Sequence, residues 1–246
     1  MKKLDKSELE MSSRQIMAIG LSQQEKLKNS HILVIGAGGI GSSLLPYLVS
    51  SGIGEITLFE SDIIERSNLG RQILFNQEQI GIAKGAATLN FLYDLNPQVK
   101  IHWKNERFSI KDLKDSNKRF DMIIEGSDDA KLKFDLSQHS LQNNLDLLIG
   151  ALSFRQAHIF YQKSSNNHAC YRCIFQNLPN LNDLPTCANE GILSSMPGVI
   201  GSMMAYLTIN LILEKSNESL FYILEGLSWR NKRLIKQKHC PNNNLH

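Results

Sequence analysis

Little in this chain is extreme, and each shortage removes a class of protein. The formal charge is only +3, too small an excess to imply nucleic acid as a partner. There is no linker, repeat or low-complexity tract, so nothing divides the chain. No apolar stretch approaches the ~20 residues that a membrane helix needs. The longest candidate, residues 197–213, is interrupted by Ser202, Thr208 and Asn210 and reads as a buried helix. The opening residues, MKKLDKSELEMSSRQ, lack the apolar core of a secretory signal. We therefore expect a cytoplasmic protein with no membrane partner. Cysteine is scarce, at four residues, and in a reducing compartment these point to metal binding or catalysis rather than disulfides.

What is present is the make-up of a globular α/β domain, 42% apolar and 21% charged, which argues against disorder. We expect a single domain over residues 1–246, with a polar arm and helix at 1–30 and two halves at 31–150 and 151–246. Residues 31–35, HILVI, form an apolar run suited to a strand buried on both faces. A glycine-rich turn, a helix over 40–49 and a second strand over 55–60 follow, the start of a right-handed βαβ unit and a parallel sheet. A polar stretch covers 61–77, and helix patterning returns over 78–95 until Asn96-Pro97 stops it. Further strands are expected at 99–103, 122–125 and 145–150, with a helix at 130–142. An antiparallel part begins near 157–162, a loop at 164–185 carries a C-x-x-C, and a helix at 199–214 precedes a last strand at 220–225. Arg230, Lys232, Arg233, Lys236 and Lys238 crowd the end of the chain and read as a solvated strand or tail. The expected class is a Rossmann-like doubly wound α/β fold, mainly parallel, continued by antiparallel strands.

The chemistry starts at Gly36-Ala37-Gly38-Gly39-Ile40-Gly41, a G-x-G-x-x-G between a strand and a helix. Glycines let the backbone turn tightly and approach phosphate, and helix N-terminal amides favour negative charge. Glu60, at the end of the next strand, is placed to accept from ribose hydroxyls. So far a nicotinamide or flavin site fits as well as ATP. Residues 62–72 narrow the choice, because they supply Asp62, Asn68, Arg71 and Gln72 where a dehydrogenase would start its next helix. Lys84 follows, and Asp128 and Asp129 come after the fourth strand. Cations offset the charge of a triphosphate as its α-phosphorus is attacked, and a carboxylate can hold Mg2+ on phosphate oxygens. Hydride transfer requires neither.

Taken together, SRQ at 13–15, GAGGIG, SNLGRQILF at 67–75, Gly81-Ile82-Ala83-Lys84, Asn96-Pro97, SDD at 127–129, CYRC at 170–173 and CANEGIL…PGVIGS at 187–202 keep one order along nearly the whole chain. This set resembles the ThiF/MoeB/HesA family, bacterial relatives of the ubiquitin-activating enzymes. The resemblance implies adenylation of the C-terminal Gly-Gly of a ubiquitin-like sulfur carrier, with release of pyrophosphate. It implies that Gly39 lines the nucleotide, Glu60 holds the ribose, Asn68, Arg71 and Lys84 meet the phosphates, and Asp128 binds Mg2+. It also implies a homodimer in which Arg14 reaches the neighbouring subunit's triphosphate, and a carrier-binding role for residues 151–246. The carrier supplies the nucleophile, so catalysis is positioning plus charge stabilisation. A sulfur-donating desulfurase is a further partner. RQILF, CYRC and Trp229-Arg230 look closer to the thiamine branch, with carrier ThiS, than to the molybdopterin branch, with MoaD. A peptide antibiotic precursor or a tRNA base remains another acceptor.

The match has departures. Glu60 stands for the usual Asp, Gly70 for Gln, Asp129 for Asn, and Lys133 stands where an Arg is common. Cys170 and Cys173 have the spacing of half a tetrahedral Zn2+ site. The family's second pair is reduced here to Cys240, with Asn243 in place of its partner and His239 or His246 as further candidates. The other reading of these cysteines is a degenerate site of small apolar residues. Cys187 occupies the family's thiol position that can link covalently to the carrier; the alternative is a loop thiol without chemistry. An oxidoreductase and a non-catalytic scaffold are the rivals from other classes.

Overall fold

The computed structural model describes residues 2–114, 119–154, 156–164, 167–176, 191–240 and 242. Helices α1 (Lys6–Met11), α2 (Ser13–Ile19) and α3 (Leu21–Lys28) lead into strand β1 (His31–Ile35). Then come α4 (Gly41–Ser50), β2 (Glu55–Phe59), α5 (Lys84–Leu95), β3 (Lys100–Lys104), α6 (Ile110–Lys114), β4 (Met122–Glu125), α7 (Ala130–Gln142), β5 (Leu147–Leu152) and β6 (Gln156–Gln162). The short α8 (Tyr171–Ile174), the long α9 (Met196–Leu213), β7 (Leu220–Glu225) and β8 (Ser228–Lys232) complete the order.

Among the described residues, eight strands join one sheet in the order β3-β2-β1-β4-β5-β6-β7-β8. The first five are parallel, and β6, β7 and β8 add antiparallel. This is the expected fold class. Strands β1, β2, β4 and β5 are apolar without alternation because helices cover both faces, with Ile32 and Val34 packing to one side and Leu33 and Ile35 to the other. Each fully buried Leu or Ile contributes roughly 1.5–3 kcal/mol through loss of water-exposed area, which fixes the strand ends that carry the loops. Helix α9 is long and apolar enough to cross a membrane by composition. In the fold it packs on α4, β5 and β6. Gly201 permits that crossing, since a Cβ there would lie 2.3 Å from the Ile40 carbonyl oxygen.

Several boundaries differ from the sequence expectation. The helix expected from residue 78 begins at Lys84, and residues 77–79 form only a 3-10 turn capped by Asn76. The delay follows from a clasp in which Ile63 bridges Ala83 and the Lys84 amide donates to the Asp62 carbonyl at 2.8 Å. Helix α1 closes through an Asp5–Glu8 capping box, and weak apolar periodicity left α1 and α2 unread. The basic C-terminal run includes β8, a strand exposed along its whole length, as a solvated strand would be. The C-x-x-C segment is one helical turn rather than loop.

Candidate active site

Strand order reverses between β1 and β4, and ligands of open parallel sheets bind outside the strand C-termini at such a point. The register brings Ile35, Phe59 and Glu125 level, so Gly36, Glu60 and Gly126 all leave the sheet at one edge. Gly36 has φ +94°, which favours glycine, and a Cβ there would approach the Ser127 amide nitrogen at 3.5 Å. Gly41 is tighter still: a Cβ would fall 2.4 Å from the Gly36 carbonyl oxygen. The loop therefore closes on itself at the N-terminus of α4, the end of a helix that favours negative charge.

Glu60 is buried and already oriented. Its Oε2 accepts from the Ala37 amide at 2.7 Å, its Oε1 from the Asp62 amide at 2.8 Å, and the Trp103 indole donates to its carbonyl at 2.8 Å. Each carboxylate oxygen keeps acceptor capacity for a ribose hydroxyl.

The segment from Asp62 to Lys84 folds back over the loop. Asn68 is buried and accepts from the Glu65 amide at 3.1 Å, while the Arg71 and Gln72 amides donate to its carbonyl at 3.0 and 2.9 Å. Ile64, Leu74, Phe75 and Ala87 form a small apolar cluster that anchors this excursion. Arg71 donates to the Ser67 carbonyl at 3.0 Å. Lys84 is buried with its ammonium 2.9 Å from the exposed Asp62 carboxylate. The cation is thus held beside the loop by a partner that phosphate oxygens can replace.

Three further observations fit a nucleotide. Position 39 is tight, because a Cβ there would lie 3.0 Å from the Pro197 side chain, which would have to shift. Gln72, buried against Gly38, leaves its Oε1 without a partner among the described residues. Asp128 is exposed at the mouth. Asp129 is engaged within the chain itself. It caps α7 by accepting from the Leu132 amide at 2.9 Å and pairs with the exposed Arg107 at 2.9 Å.

The structure does not bring Arg14 to this crevice. Its neighbour Gln15 donates to the Ser51 carbonyl, at the far end of α4 from the glycine loop. Cys187, Asn243 and His246 lie outside the described residues.

The sulfur ligands do come together. Cys170 Sγ lies 3.8 Å from Cys173 Sγ and 3.4 Å from Cys240 Sγ, and all three fall within 4.8 Å of one another. Hydrogen bonding from Cys170 lowers the Cys173 thiol to about 5, while Cys170 and the buried Cys240 are pushed up. One thiolate sharing protons with two thiols is the donor set that a Zn2+ ion would deprotonate fully. The three sulfurs fit three corners of a tetrahedral site. The Asn242 amide donates to Cys170 Sγ at 3.5 Å, a contact the sequence did not reveal.

The arrangement agrees with what the chain is similar to. The ThiF family model matches residues 12–242, and the chain belongs to the ThiF family. A sulfur carrier protein adenylyltransferase of Thermus thermophilus is 29% identical over 96% of this chain and 91% of its own length. The SAMP-activating enzyme E1 of Haloferax volcanii is 27% identical over 97% and 90%. Escherichia coli MccB solved with ATP superimposes with a TM-score of 0.81 over 97% of this chain and 75% of that one, at 21% identity, a likeness of fold. By class, the chain is an adenylyltransferase.

Sequence reasoning missed Trp103, Glu125, Ser127 and Pro197 as parts of the site's frame. Ser127 and Pro197 lie inside the SDD and PGVIGS motifs, but their framing role, like that of Trp103 and Glu125, shows only in what they touch.

Proposed function

We propose that this enzyme uses ATP to adenylylate the C-terminal Gly-Gly carboxylate of a ubiquitin-like sulfur carrier. A carboxylate oxygen forms a bond to the α-phosphorus as the bond to the β-phosphate oxygen breaks, and pyrophosphate leaves with the electron pair. The observation that carries the reading is the meeting of the glycine loop, Glu60, the buried Lys84 and Asp128 at one strand-order reversal. Glu60 holds ribose, the loop amides with Asn68, Arg71, Gln72 and Lys84 hold phosphate, and Asp128 would hold Mg2+, which would offset the phosphate charge. No base is needed, because the carrier's carboxylate is already ionised at neutral pH.

We place the thiamine-type carrier ThiS ahead of the molybdopterin-type carrier MoaD on the wording of RQILF and CYRC. The enzyme works as a cytoplasmic homodimer, with Arg14 supplied to the partner's triphosphate. Support comes from its exposure on α2, remote from its own glycine loop. Exposed Met17, Tyr47, Val199 and Tyr206 on α2, α4 and α9 offer apolar surface for pairing. Zn2+ bound by Cys170, Cys173 and Cys240 would tie the C-terminal segment to the domain. Cys187 is reserved for covalent sulfur chemistry with the carrier, fed by a desulfurase.

The test is ATP–pyrophosphate exchange with purified ThiS-type and MoaD-type carriers and with a peptide bearing a free C-terminal carboxylate. The expected order of kcat/KM is ThiS, MoaD, peptide. Exchange with the peptide alone would overturn the carrier assignment.

A further inference from the structure

Beneath the mouth of the crevice lies an ion pair that no phosphate contact requires. Glu125, the last residue of β4, is 0% exposed, and Lys133, on the first turns of α7, is 4% exposed. Their charged groups are in direct contact. A buried pair is costly to desolvate and is not explained by stability alone, since apolar residues of similar volume would serve as well. Its geometry suggests another use. Glu125 Oε1 accepts from the Ser127 amide at 2.8 Å and from the Ser127 hydroxyl. Lys133 donates to the Ser127 carbonyl at 2.6 Å. The Ser127 hydroxyl in turn accepts from the Asp129 amide at 3.2 Å. Amide, carbonyl and hydroxyl of one residue are therefore all held by, or linked to, the same buried pair. That residue directly precedes Asp128, and its amide is what Gly36 packs against.

We propose that Glu125 and Lys133 are a positioning pair that fixes the turn at residues 126–129 against the glycine loop and so sets where Asp128 meets the phosphates and their Mg2+. The proposal rests on the adenylation reading. Neither side chain touches substrate. A turn held at three points from below leaves Asp128 exposed with its backbone fixed, so a metal ion meets a preset carboxylate rather than a mobile one. Burial pushes the Glu125 carboxyl up, and the Lys133 ammonium opposes that shift, so the two are mutually dependent.

The test compares the full-length wild type with three variants in ATP–pyrophosphate exchange. Each is titrated separately with MgATP and with free Mg2+, alongside thermal melting. E125Q/K133M removes both charges together. It is expected to melt cooperatively, lose on the order of 100-fold in kcat/KM, and need more Mg2+ for half-maximal exchange. S127A removes one hydroxyl and is expected to lose about fivefold, with the same direction of Mg2+ shift. K133R, which restores a buried cation, is expected to stay within about tenfold of wild type. If the double variant fails to melt cooperatively, S127A and K133R decide alone. Wild-type kcat/KM and Mg2+ dependence in S127A or in a folded double variant would overturn the pair's role while leaving adenylation standing. An inactive wild type would overturn the adenylation reading and the pair's role with it.

Discussion

Helix α7 links two sites built on opposite principles. At its N-terminus, capped by Asp129, lies the crevice of the glycine loop; near its other end, about 20 Å away by helical rise, Leu141 packs on the three cysteines. The crevice is made of backbone closed on itself and of charges already paired, Lys84 with Asp62 and Lys133 with Glu125. Its geometry is set by neighbours in the sheet. The cysteine cluster instead joins Cys170 to a residue 70 positions later in the chain. Its buried core is small, and its sulfurs share protons. One site can therefore fail in chemistry without loss of fold, whereas the other can fail in fold with little loss of chemistry.

The sharpest way to break this contrast is Asp128→Ala. Exchange should fall about 1000-fold, with the melting midpoint unmoved because the side chain is exposed. Near-normal exchange would remove Asp128 from the Mg2+ role. Lys84→Met should lower exchange about 100-fold, mostly as a raised KM for MgATP, since the ammonium meets phosphate in ground and transition states alike. An effect on kcat alone would say that Lys84 acts only on the transition state.

At the other end, stripping metal with a chelator, or Cys240→Ser, should lower the melting midpoint by roughly 5–10 °C. Exchange per folded molecule should stay within about twofold. Metal analysis should give one Zn2+ per chain in the wild type, and a parallel loss of exchange would dissolve the distinction between the two sites.

Per pH unit, the smallest effect concerns His158, which packs on Tyr171, Phe175 and Phe221 beside the cysteine turn. Burial, with Lys133 nearby, lowers it from 6.5 to about 3. The unfolded chain binds a proton there below pH 6.5 that the folded chain refuses until near pH 3. The contribution of His158 to stability should therefore drop by about 1.4 kcal/mol per pH unit as pH falls through that window, and be constant above it. Denaturant melts of His158→Phe should lose this slope while the wild type keeps it; equal slopes would show that His158 does not titrate as a buried group.

Much of the crevice was legible because its parts are local. Glycines between an apolar strand and a helix can be read without tertiary contacts, and so can a carboxylate at a strand end. The fold class was legible for the same reason, since strands buried on both faces show as unbroken apolar runs. What stayed hidden depends on partners distant in sequence. Glu125 ends an apolar strand and looks like a boundary residue until Lys133 reaches it. The place of Asp129 as helix cap and partner of Arg107 is likewise a matter of geometry that its motif does not reveal. Strand β8 was legible only as a solvated strand or tail, because SWRNK has no apolar alternation and an exposed edge strand draws its order from pairing with β7. Arg14 is the converse case, a residue legible by motif whose single-chain position says nothing about phosphate.

The central claim, activation of a carrier's carboxylate at the glycine loop, is tested most directly by one exchange measurement. Labelled pyrophosphate is incubated with ATP, Mg2+, the enzyme and a Gly-Gly carrier whose C-terminus is either free or amidated. The account predicts incorporation of label into ATP with the free carboxylate and none with the amide. Exchange that ignores the carrier's terminus, or no exchange with any free Gly-Gly carrier, would contradict it.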